Sequence, residues 1–231
     1  MKLTASHPIR ELVRILLRPL RRVLAPTPLE VVQANDREAF EYFYAQEDYI
    51  ARHYLEPARL ALYEFVAEYC AGVPEAAETG DVVRIVDMGC GMGHLLEALR
   101  RRFAPRYRLE LLGLDFAATA IDKSRALLPG ATFLVEDIYH NSLPSESFDL
   151  VVSVETLEHL RFPEKALAEL RRICKPRGSI VLTVPNGEKD TWKGHVNFWS
   201  LSQFREWLSP YGLADIRLIA DEMLILARLS K

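Results

Sequence analysis

The stretch VVRIVDMGCGMGH, residues 82–94, decides the fold of this chain. Its first seven residues form a β-rich run, and Gly89, Gly91 and Gly93 separate that run from the helical pattern HLLEALRRRF. Glycines in such a turn let the backbone approach a ligand closely, and the helix N-terminus offers unpaired N–H groups and a positive dipole. The stretch therefore predicts a strand, a ligand-binding turn and a helix, with Asp87 beside the turn.

The alternation of strand and helix patterns continues towards the C-terminus. Apolar, β-rich runs recur at residues 109–115, 131–137, 148–155 and 179–185, with closing runs at 213–220 and 223–229. Amphipathic helical patterns lie between most of these runs, and Ser200 is predicted to cap the last helix. Nearly continuous apolar strands that alternate with helices indicate a parallel sheet covered on both faces. The predicted fold class is α/β, with a doubly wound sheet.

The residues before the glycine turn differ in character from those after it. Six Lys and Arg residues against two Glu leave residues 1–35 with a net charge of +4, and the apolar and basic residues of 9–24 segregate to opposite faces of a helix. Pro19 interrupts this basic amphipathic helix, and three roles are open for it. The helix covers the protein's own apolar surface, or it lies on an anionic membrane, or it serves as an organelle transit peptide. We predict an amino-terminal helical extension or lid at 1–80 and a ligand-binding domain at 81–231.

The composition argues against several classes of protein. The 231-residue chain carries 29 Lys and Arg against 32 Asp and Glu, and this net charge of −3 disfavours sequence-independent nucleic-acid binding. Cys70, Cys90 and Cys174 are far apart, so neither a disulfide framework nor a zinc site is predicted, and a reducing compartment such as the cytoplasm is expected. No stretch approaches the roughly 18 uninterrupted apolar residues of a membrane span.

Acidic residues end three successive predicted strands. Asp87 ends the first strand, Asp115 the second and Asp137 the third. A carboxylate at the position of Asp115 can accept both hydroxyls of a ribose, and one at Asp137 can accept a hydrogen bond from the exocyclic amine of a purine. The alternative is that Asp115 and Asp137 only cap the helices that follow them. Together with the glycine turn, the three acids predict a pocket for an adenosyl ligand.

The segments VDMGCGMG, GLD, FDLVVSVETLEHL and LRRICKPRGSIVLTVPN resemble the successive motifs of class I S-adenosylmethionine-dependent methyltransferases. The resemblance spans residues 82–229. The small-molecule methyltransferases of ubiquinone biosynthesis are among the proteins that the sequence resembles. It implies a seven-stranded, mostly parallel sheet with an antiparallel last strand, and S-adenosyl-L-methionine as the cofactor. It also implies a set of cofactor-binding residues. The methionine end is bordered by Asp87, Gly89, Gly91 and Gly93, the ribose is bound by Asp115, and the adenine is held by Phe116, Asp137 and Ile138.

Three residues are candidates for catalysis on the acceptor side. The resemblance implies that Glu155, at the tip of the fourth strand, lies beside the transferring methyl group. His159 is the last residue of the run E-x-x-E-H. This run resembles one that is associated with a divalent metal in ubiquinone-biosynthesis O-methyltransferases. The same run is common in metal-free relatives, so no metal is predicted for this chain. His195, in a loop after the fifth strand, either accepts a proton as a base or seats the loop.

Aromatic side chains around these candidates are expected to shape the acceptor pocket. An apolar wall is predicted from Trp192, Phe198 and Trp199, whereas His94 is expected on the surface of its helix. The tyrosines of the amino-terminal helices either line the pocket as a lid or are ordinary core and surface residues: Tyr42, Tyr44, Tyr49 and Tyr54.

The predicted function is methyl transfer from S-adenosylmethionine to a small-molecule acceptor, with O-methylation favoured. The chain lacks a [DNS]-P-P-[YFW] motif after the fourth strand and a Pro-Cys pair, which argues against adenine, glutamine and cytosine as acceptors. A lipid, a quinone and a sugar-linked metabolite remain open, as do peripheral membrane contact through residues 9–24 and the oligomeric state. The alternatives are a catalytically inert S-adenosylmethionine-binding regulatory subunit and an NAD-dependent oxidoreductase, which His94 in place of a small residue disfavours.

Overall fold

The computed structural model describes residues 37–72 and 82–231. The amphipathic helix predicted at 9–24 and most of the segment that joins the two predicted domains lie outside these ranges, so the boundary between 1–80 and 81–231 stays a prediction. Within them, no helix is long and apolar enough to cross a membrane. Cys70, Cys90 and Cys174 are buried free thiols.

Three helices precede the sheet: α1 (Arg37–Ala45), α2 (Glu47–His53) and α3 (Pro57–Ala71). The sequence pattern predicts one helical stretch up to the break before Pro57, but the structure also interrupts it at Gln46, whose backbone is extended. Pro57 occupies the first turn of α3, where its missing N–H leaves no helical hydrogen bond unmade.

Seven strands form a single sheet, and their bounds are β1 Val82–Met88, β2 Arg108–Asp115, β3 Thr132–Val135, β4 Phe148–Val154, β5 Cys174–Pro185, β6 Leu213–Ile219 and β7 Leu224–Ser230. The helices among them are α4 His94–Phe103, α5 Ala118–Leu127, α6 Pro163–Ile173 and α7 Leu201–Leu208, with short 3₁₀ turns at Leu157–His159 and Ser209–Tyr211. Ser200 caps α7 through a capping box, as predicted.

The strand order is β3-β2-β1-β4-β5-β7-β6. Strands β1 to β5 are parallel, and β7 is antiparallel to both of its neighbours. The order of the strands along the chain reverses between β1 and β4, and open α/β sheets bind their ligands in the crevice outside the carboxyl ends of the strands at such a point. The predicted doubly wound sheet with an antiparallel closing strand is thereby confirmed.

Alternate residues of the strands supply two cores, one on each face of the sheet. Ile85 of β1 packs in the core that also holds residues of α3 and α4, whereas the next residue, Val86, packs in the core that holds residues of α6 and α7. This alternation follows from the two-residue period of a strand. The core that α3 shares with β1 places α3 on one face of the sheet.

Candidate functional site

A cavity of about 990 Å³ lies at the carboxyl ends of the parallel strands. It extends from the turn after β1 to the loop after β5, and residues of α1, α2 and α3 line its other side. Except for Gly93, the site residues predicted from the sequence all line this cavity: Asp87, Gly89, Gly91, Asp115, Phe116, Asp137, Ile138, Glu155, His159 and His195.

The glycine turn is tied to the end of β2. The backbone N–H of Gly89 donates to the carbonyl of Leu114 at 2.8 Å, and that of Gly91 donates to Oδ2 of Asp115 at 2.9 Å. Gly91 has a φ of +50°, and a Cβ added there would lie 2.9 Å from Oη of Tyr44. A side chain at this position would therefore strain the backbone and crowd Tyr44, which also lines the cavity.

Gly93 has a different place from the other two glycines. It is the N-cap of α4, with a φ of +82°, and a Cβ on it would face the side chains of Ser124 and Phe133 in the interior. The part of the cavity wall that the described residues form does not include Gly93. Direct contact with the methionine end of a ligand, as the resemblance implies for Gly93, has no support in this position.

Asp115 both caps a helix and faces the cavity. Its Oδ1 accepts a hydrogen bond from the N–H of Ala117, at the start of α5, at 2.9 Å. The capping role and the ligand-binding role are thus compatible, because each carboxylate oxygen has a second lone pair. Burial raises the pKa of Asp115 to about 6, against the lowering effect of the backbone N–H groups.

Asp87 lines the cavity and has one buried side-chain oxygen without a hydrogen-bond partner in the described residues. Its side chain is 2% exposed, and no group of the described residues donates a hydrogen bond to Oδ1. Burial, and then the charge of Asp115, raise the pKa of Asp87 to about 8. A buried polar atom without a partner is costly, and a ligand that brings an N–H donor or a positive charge would remove that cost. The orphaned oxygen and the glycine cradle therefore fit an adenosyl sulfonium ligand with its amino group.

The region predicted to hold the adenine is less enclosed. Phe116 packs against Phe40 of α1, with ring centroids 5.4 Å apart, and Ile138 is buried. Asp137 is exposed, and its Oδ1 accepts the N–H of Tyr139 at 2.8 Å within a turn. The described residues between β3 and β4 form no helix, so the helix-capping alternative for Asp137 is wrong.

Glu155 directly follows β4 in a backbone conformation that side chains rarely adopt, with a φ of +54°. Its N–H donates to the carbonyl of Thr183 at 3.1 Å, and its Oε1 accepts the Thr183 hydroxyl at 3.2 Å. Such strained residues persist where the surrounding structure holds them, and they cluster at functional sites.

Arg59 is a residue of the cavity that the sequence pattern does not single out. It lies in α3, lines the cavity, and places Nη1 3.5 Å from Oε2 of Glu155. Burial raises the pKa of Glu155, and the positive charge of Arg59 opposes that rise. The pattern of α3 marks Arg59 only as one charged residue of a helix, so nothing local in the sequence reveals a contact with a residue 96 positions away.

Glu158, His159 and His195 meet at the end of the cavity near the loop after β5. Glu158 is 1% exposed, and neither of its carboxyl oxygens has a hydrogen-bond partner in the described part of the chain. Burial, and then the charge of Glu155, hold the pKa of Glu158 well above its usual value. Ligand atoms of the three residues lie within 4.8 Å of one another, close enough to share a divalent cation. The absence of a resident metal stays a prediction.

The two histidines of this cluster differ in their surroundings. Burial, and then the neighbouring His195, lower the pKa of His159 to about 3, so its ring is neutral at physiological pH. His195 places Nδ1 2.5 Å from Oδ2 of Asp190, a second residue that the sequence pattern does not single out. The imidazole of His195, which lines the cavity, therefore has a carboxylate partner at Nδ1, and its Nε2 lies 3.9 Å from Oε1 of Glu158.

Three expectations about aromatic residues need correction. His94 is not on the helix surface: it is half-buried, lines the cavity and stacks on Tyr63, which α3 brings over the helix start. Trp192 lines the cavity as predicted, but Phe198 is exposed and Trp199 packs against Trp207 of α7. Of the four tyrosines, Tyr42 is exposed, and the other three line the cavity: Tyr44, Tyr49 and Tyr54.

Comparisons with known proteins agree with this fold. Residues 86–182 match the family model described as a methyltransferase domain. The chain is 32% identical to the 2-methyl-6-phytyl-1,4-hydroquinone methyltransferase of a Synechocystis strain, over 55% of this chain and 39% of that protein. It is 28% identical to a ubiquinone biosynthesis O-methyltransferase of Hahella chejuensis, over 69% of this chain and 65% of that protein. The chain thus spans less than two thirds of the length of these curated relatives.

A solved structure extends the likeness to the fold. A methyltransferase of Aquifex aeolicus described as dependent on S-adenosylmethionine superposes with a TM-score of 0.62 at 16% identity, over 84% of this chain and 98% of that one. The seven-stranded sheet, the glycine turn and the matching domain define a methyltransferase domain. The chain is therefore similar to class I S-adenosylmethionine-dependent methyltransferases, and this similarity indicates S-adenosyl-L-methionine as the cofactor.

Proposed function

We propose that this chain transfers a methyl group from S-adenosylmethionine to a hydroxyl group of a small-molecule acceptor. One observation carries the proposal: a single cavity joins the glycine turn and Asp115 to a chamber that contains Glu155 and His195. The cofactor, when bound, supplies a methyl group already activated towards displacement, so the protein chiefly orients the two reactants and manages a proton.

Residues along the first half of the cavity hold the cofactor in this proposal. Asp115 accepts the ribose hydroxyls, and Phe116, Asp137 and Ile138 border the adenine. Asp87, Gly89 and Gly91 contact the methionine end, with Gly93 setting the start of α4. The guanidinium of Arg59, which lies beside Glu155 between the two halves, is a cation of the cavity wall that suits the methionine carboxylate.

Residues around the other half act on the acceptor. Glu155 lies beside the reacting centre, His195 accepts the hydroxyl proton, and His159, neutral at physiological pH, forms part of the wall. An available base favours a hydroxyl acceptor, because a thiol or an amine needs less help in losing a proton. The O-methyltransferase name of the Hahella relative supports the same choice.

The identity of the acceptor is proposed only as a class. Trp192 and Phe40 each pack edge-on against His159, with ring centroids 5.4 Å apart, and they supply apolar surface that suits a lipid, a quinone or a sugar-linked metabolite with an apolar part. The comparisons give no support for membrane contact through residues 9–24, and a cytoplasmic location stays a prediction. An inert regulatory subunit and an NAD-dependent oxidoreductase are not favoured.

The test is a transfer assay with S-adenosylmethionine labelled in its methyl group and a cell extract as the source of acceptors. We expect the label to appear in small molecules, in methoxy form, with the wild-type chain and not with an Asp115→Ala variant. Label recovered only in protein or nucleic acid, or equal labelling by both chains, would contradict the proposal. A product methylated only on carbon would refute O-methylation.

A further inference from the structure

The loop that carries His195 is closed on itself. It begins after β5 at Asn186, and the N–H of Gly187 donates to the carbonyl of Trp199 at 2.7 Å, which joins the two ends of the loop. The N–H of Asp190 donates to the carbonyl of Asn186 at 2.9 Å. The side chain of Asn186 in turn donates to the carbonyl of Glu222 at 2.9 Å. The two ends of the loop are therefore joined to each other, and Asn186 also joins the loop to the turn between β6 and β7.

The same loop is docked on the 3₁₀ turn at Leu157–His159. The N–H groups of Val196 and Asn197 both donate to the carbonyl of Glu158, at 2.9 and 3.1 Å. The side-chain amide of Asn197 donates to the carbonyls of Leu157 and Leu160, at 3.1 and 2.6 Å. These bonds fix the backbone on the C-terminal side of His195 against the acceptor end of the cavity.

Asp190 fixes the other side of His195. Its side chain is 4% exposed, Oδ1 accepts the N–H of Trp192 at 3.0 Å, and Oδ2 lies 2.5 Å from Nδ1 of His195. A carboxylate only accepts hydrogen bonds, so Nδ1 must carry a proton, and a neutral imidazole then has its lone pair on Nε2. Nε2 lies 3.9 Å from Oε1 of Glu158, too far for a hydrogen bond between them.

We propose that Asp190 is a positioning residue of the methyl transfer, which holds His195 in the Nδ1–H tautomer with Nε2 turned to the acceptor. This inference rests on the proposed function. The acceptor oxygen forms a bond to the methyl carbon as the bond from that carbon to sulfur breaks, with its electron pair left on sulfur, and the hydroxyl proton moves to Nε2 of His195. The resulting imidazolium keeps its hydrogen bond to the carboxylate of Asp190.

The test uses two acceptors of the same shape, 4-methylphenol and 4-methylbenzenethiol. The phenol must lose its proton to react, whereas the thiol is largely ionised near neutral pH and needs no base. We expect Asp190→Asn to lower kcat for the phenol by roughly 10²- to 10⁴-fold, with KM changed less than about threefold. For the thiol, kcat stays within about threefold of the wild-type value. Equal losses with both acceptors, or no loss with the phenol, would overturn the inference.

Glu188→Gln is the matched control, because Glu188 lies in the same loop, is exposed and is not among the lining residues. It is expected to leave both rates unchanged. Asp190→Glu keeps a carboxylate and should restore part of the phenol rate, which a merely structural role of Asp190 does not require. Affinity for S-adenosylhomocysteine, measured on every variant, identifies any that fail to fold.

A second readout needs no acceptor. In the full chain with ¹⁵N-labelled histidine, the ring-nitrogen signals of His195 should report the Nδ1–H tautomer in the wild type and a shift towards Nε2–H in Asp190→Asn. A wild-type Nε2–H tautomer would refute the inference. If the wild type binds S-adenosylhomocysteine but methylates neither compound, the phenolic form of the proposed function fails, and the tautomer still decides whether Asp190 sets the orientation of His195.

Discussion

Two residues that line the cavity, Asp87 and Glu158, have at least one buried carboxyl oxygen without a hydrogen-bond partner in the described residues. Both side chains are almost fully buried, and burial raises the pKa of each. Unsatisfied buried groups lower the stability of a protein, and ionisable groups perturbed in this way concentrate at functional sites. At the scale of single residues, these unpartnered carboxyl groups therefore lower the free energy of unfolding, and they make the cavity suited to a polar ligand.

The first prediction concerns Asp87 and pH. Between its unfolded pKa, near 3.8, and its folded pKa, about 8, the folded chain binds one more proton at this residue than the unfolded chain. The free energy of unfolding without cofactor should therefore fall as pH rises, by up to about 1.4 kcal/mol per pH unit from this group. Denaturant titrations from pH 5 to 7 should show a shallower fall for Asp87→Asn than for the wild type.

The control for that experiment is Asp122→Asn, at an exposed position of α5. Its curve should run parallel to the wild-type curve over the same pH range. Parallel curves for Asp87→Asn as well would mean that Asp87 is charged in the folded chain, which would contradict the raised pKa.

The second prediction concerns Gly91. An alanine there must adopt a φ near +50° and place its Cβ 2.9 Å from the hydroxyl of Tyr44. We expect Gly91→Ala to raise the Kd for S-adenosylhomocysteine about tenfold or more, since left-handed backbone costs roughly 1–2 kcal/mol for a residue with a Cβ. In Gly130→Ala, no described atom lies within 4 Å of the new Cβ, so affinity should not change. Equal affinities for all three chains would contradict the prediction.

The sequence predicts some site residues far better than others. Gly91, Asp87 and Asp115 stand at the ends of strands within short motifs, so local pattern suffices to find them. Arg59 and Asp190 carry no such mark, because one reaches the cavity from a distant helix and the other through the fold of a loop. What decides their place is tertiary packing, which a single sequence does not display.

At the scale of elements, α1 closes over the cavity through two kinds of contact. Phe40 packs against both Phe116 and His159, with ring centroids 5.4 Å away in each case. The carboxylate of Glu41 accepts the N–H groups of Ala118 at 2.5 Å and Thr119 at 2.9 Å, at the start of α5. Because the N-cap residue of α5 makes no side-chain capping bond, Glu41 caps that helix from a distance.

The third prediction tests this cap. Glu41→Ala should lower the free energy of unfolding by roughly 1–2 kcal/mol, the worth of a lost helix cap with a charged acceptor. Amide hydrogen exchange should become faster in α1 and at Ala118 and Thr119, and should stay unchanged in β1. Glu206→Ala, on the exposed face of α7, is the control and should alter neither measurement. Unchanged exchange in Glu41→Ala would show that Glu41 does not fasten α1.

The strong elements are predictable from pattern, and the weak ones are not. The bounds of β1 and α4 agree with the sequence pattern, because glycines separate a β-rich run from a helical one there. β3 is shorter than its apolar run at 131–137, since only four residues pair with β2. The break at Gln46 was not predicted, because no glycine or proline marks it.

At the scale of the whole molecule, the site is assembled from distant parts of the chain. Parallel strands bring Asp87, Asp115 and Glu155 to one edge of the sheet, and the reversal of strand order between β1 and β4 opens the crevice. The helices that precede the sheet in sequence then cover this edge and add Arg59 and Tyr44. The alternation of strands and helices and a helical lid ahead of the sheet are predicted from the sequence, whereas the contact between Arg59 and Glu155 is not.

Calorimetric titration of the full chain with S-adenosylhomocysteine tests most directly whether the cavity binds the cofactor through Asp115. We predict saturable binding at one site, weakened roughly a hundredfold in Asp115→Ala, because that variant removes the carboxylate proposed to accept the ribose hydroxyls. Thermal unfolding of the variant establishes that it is folded. Absence of binding by the wild type, or equal binding by wild type and variant, would contradict this role of the cavity.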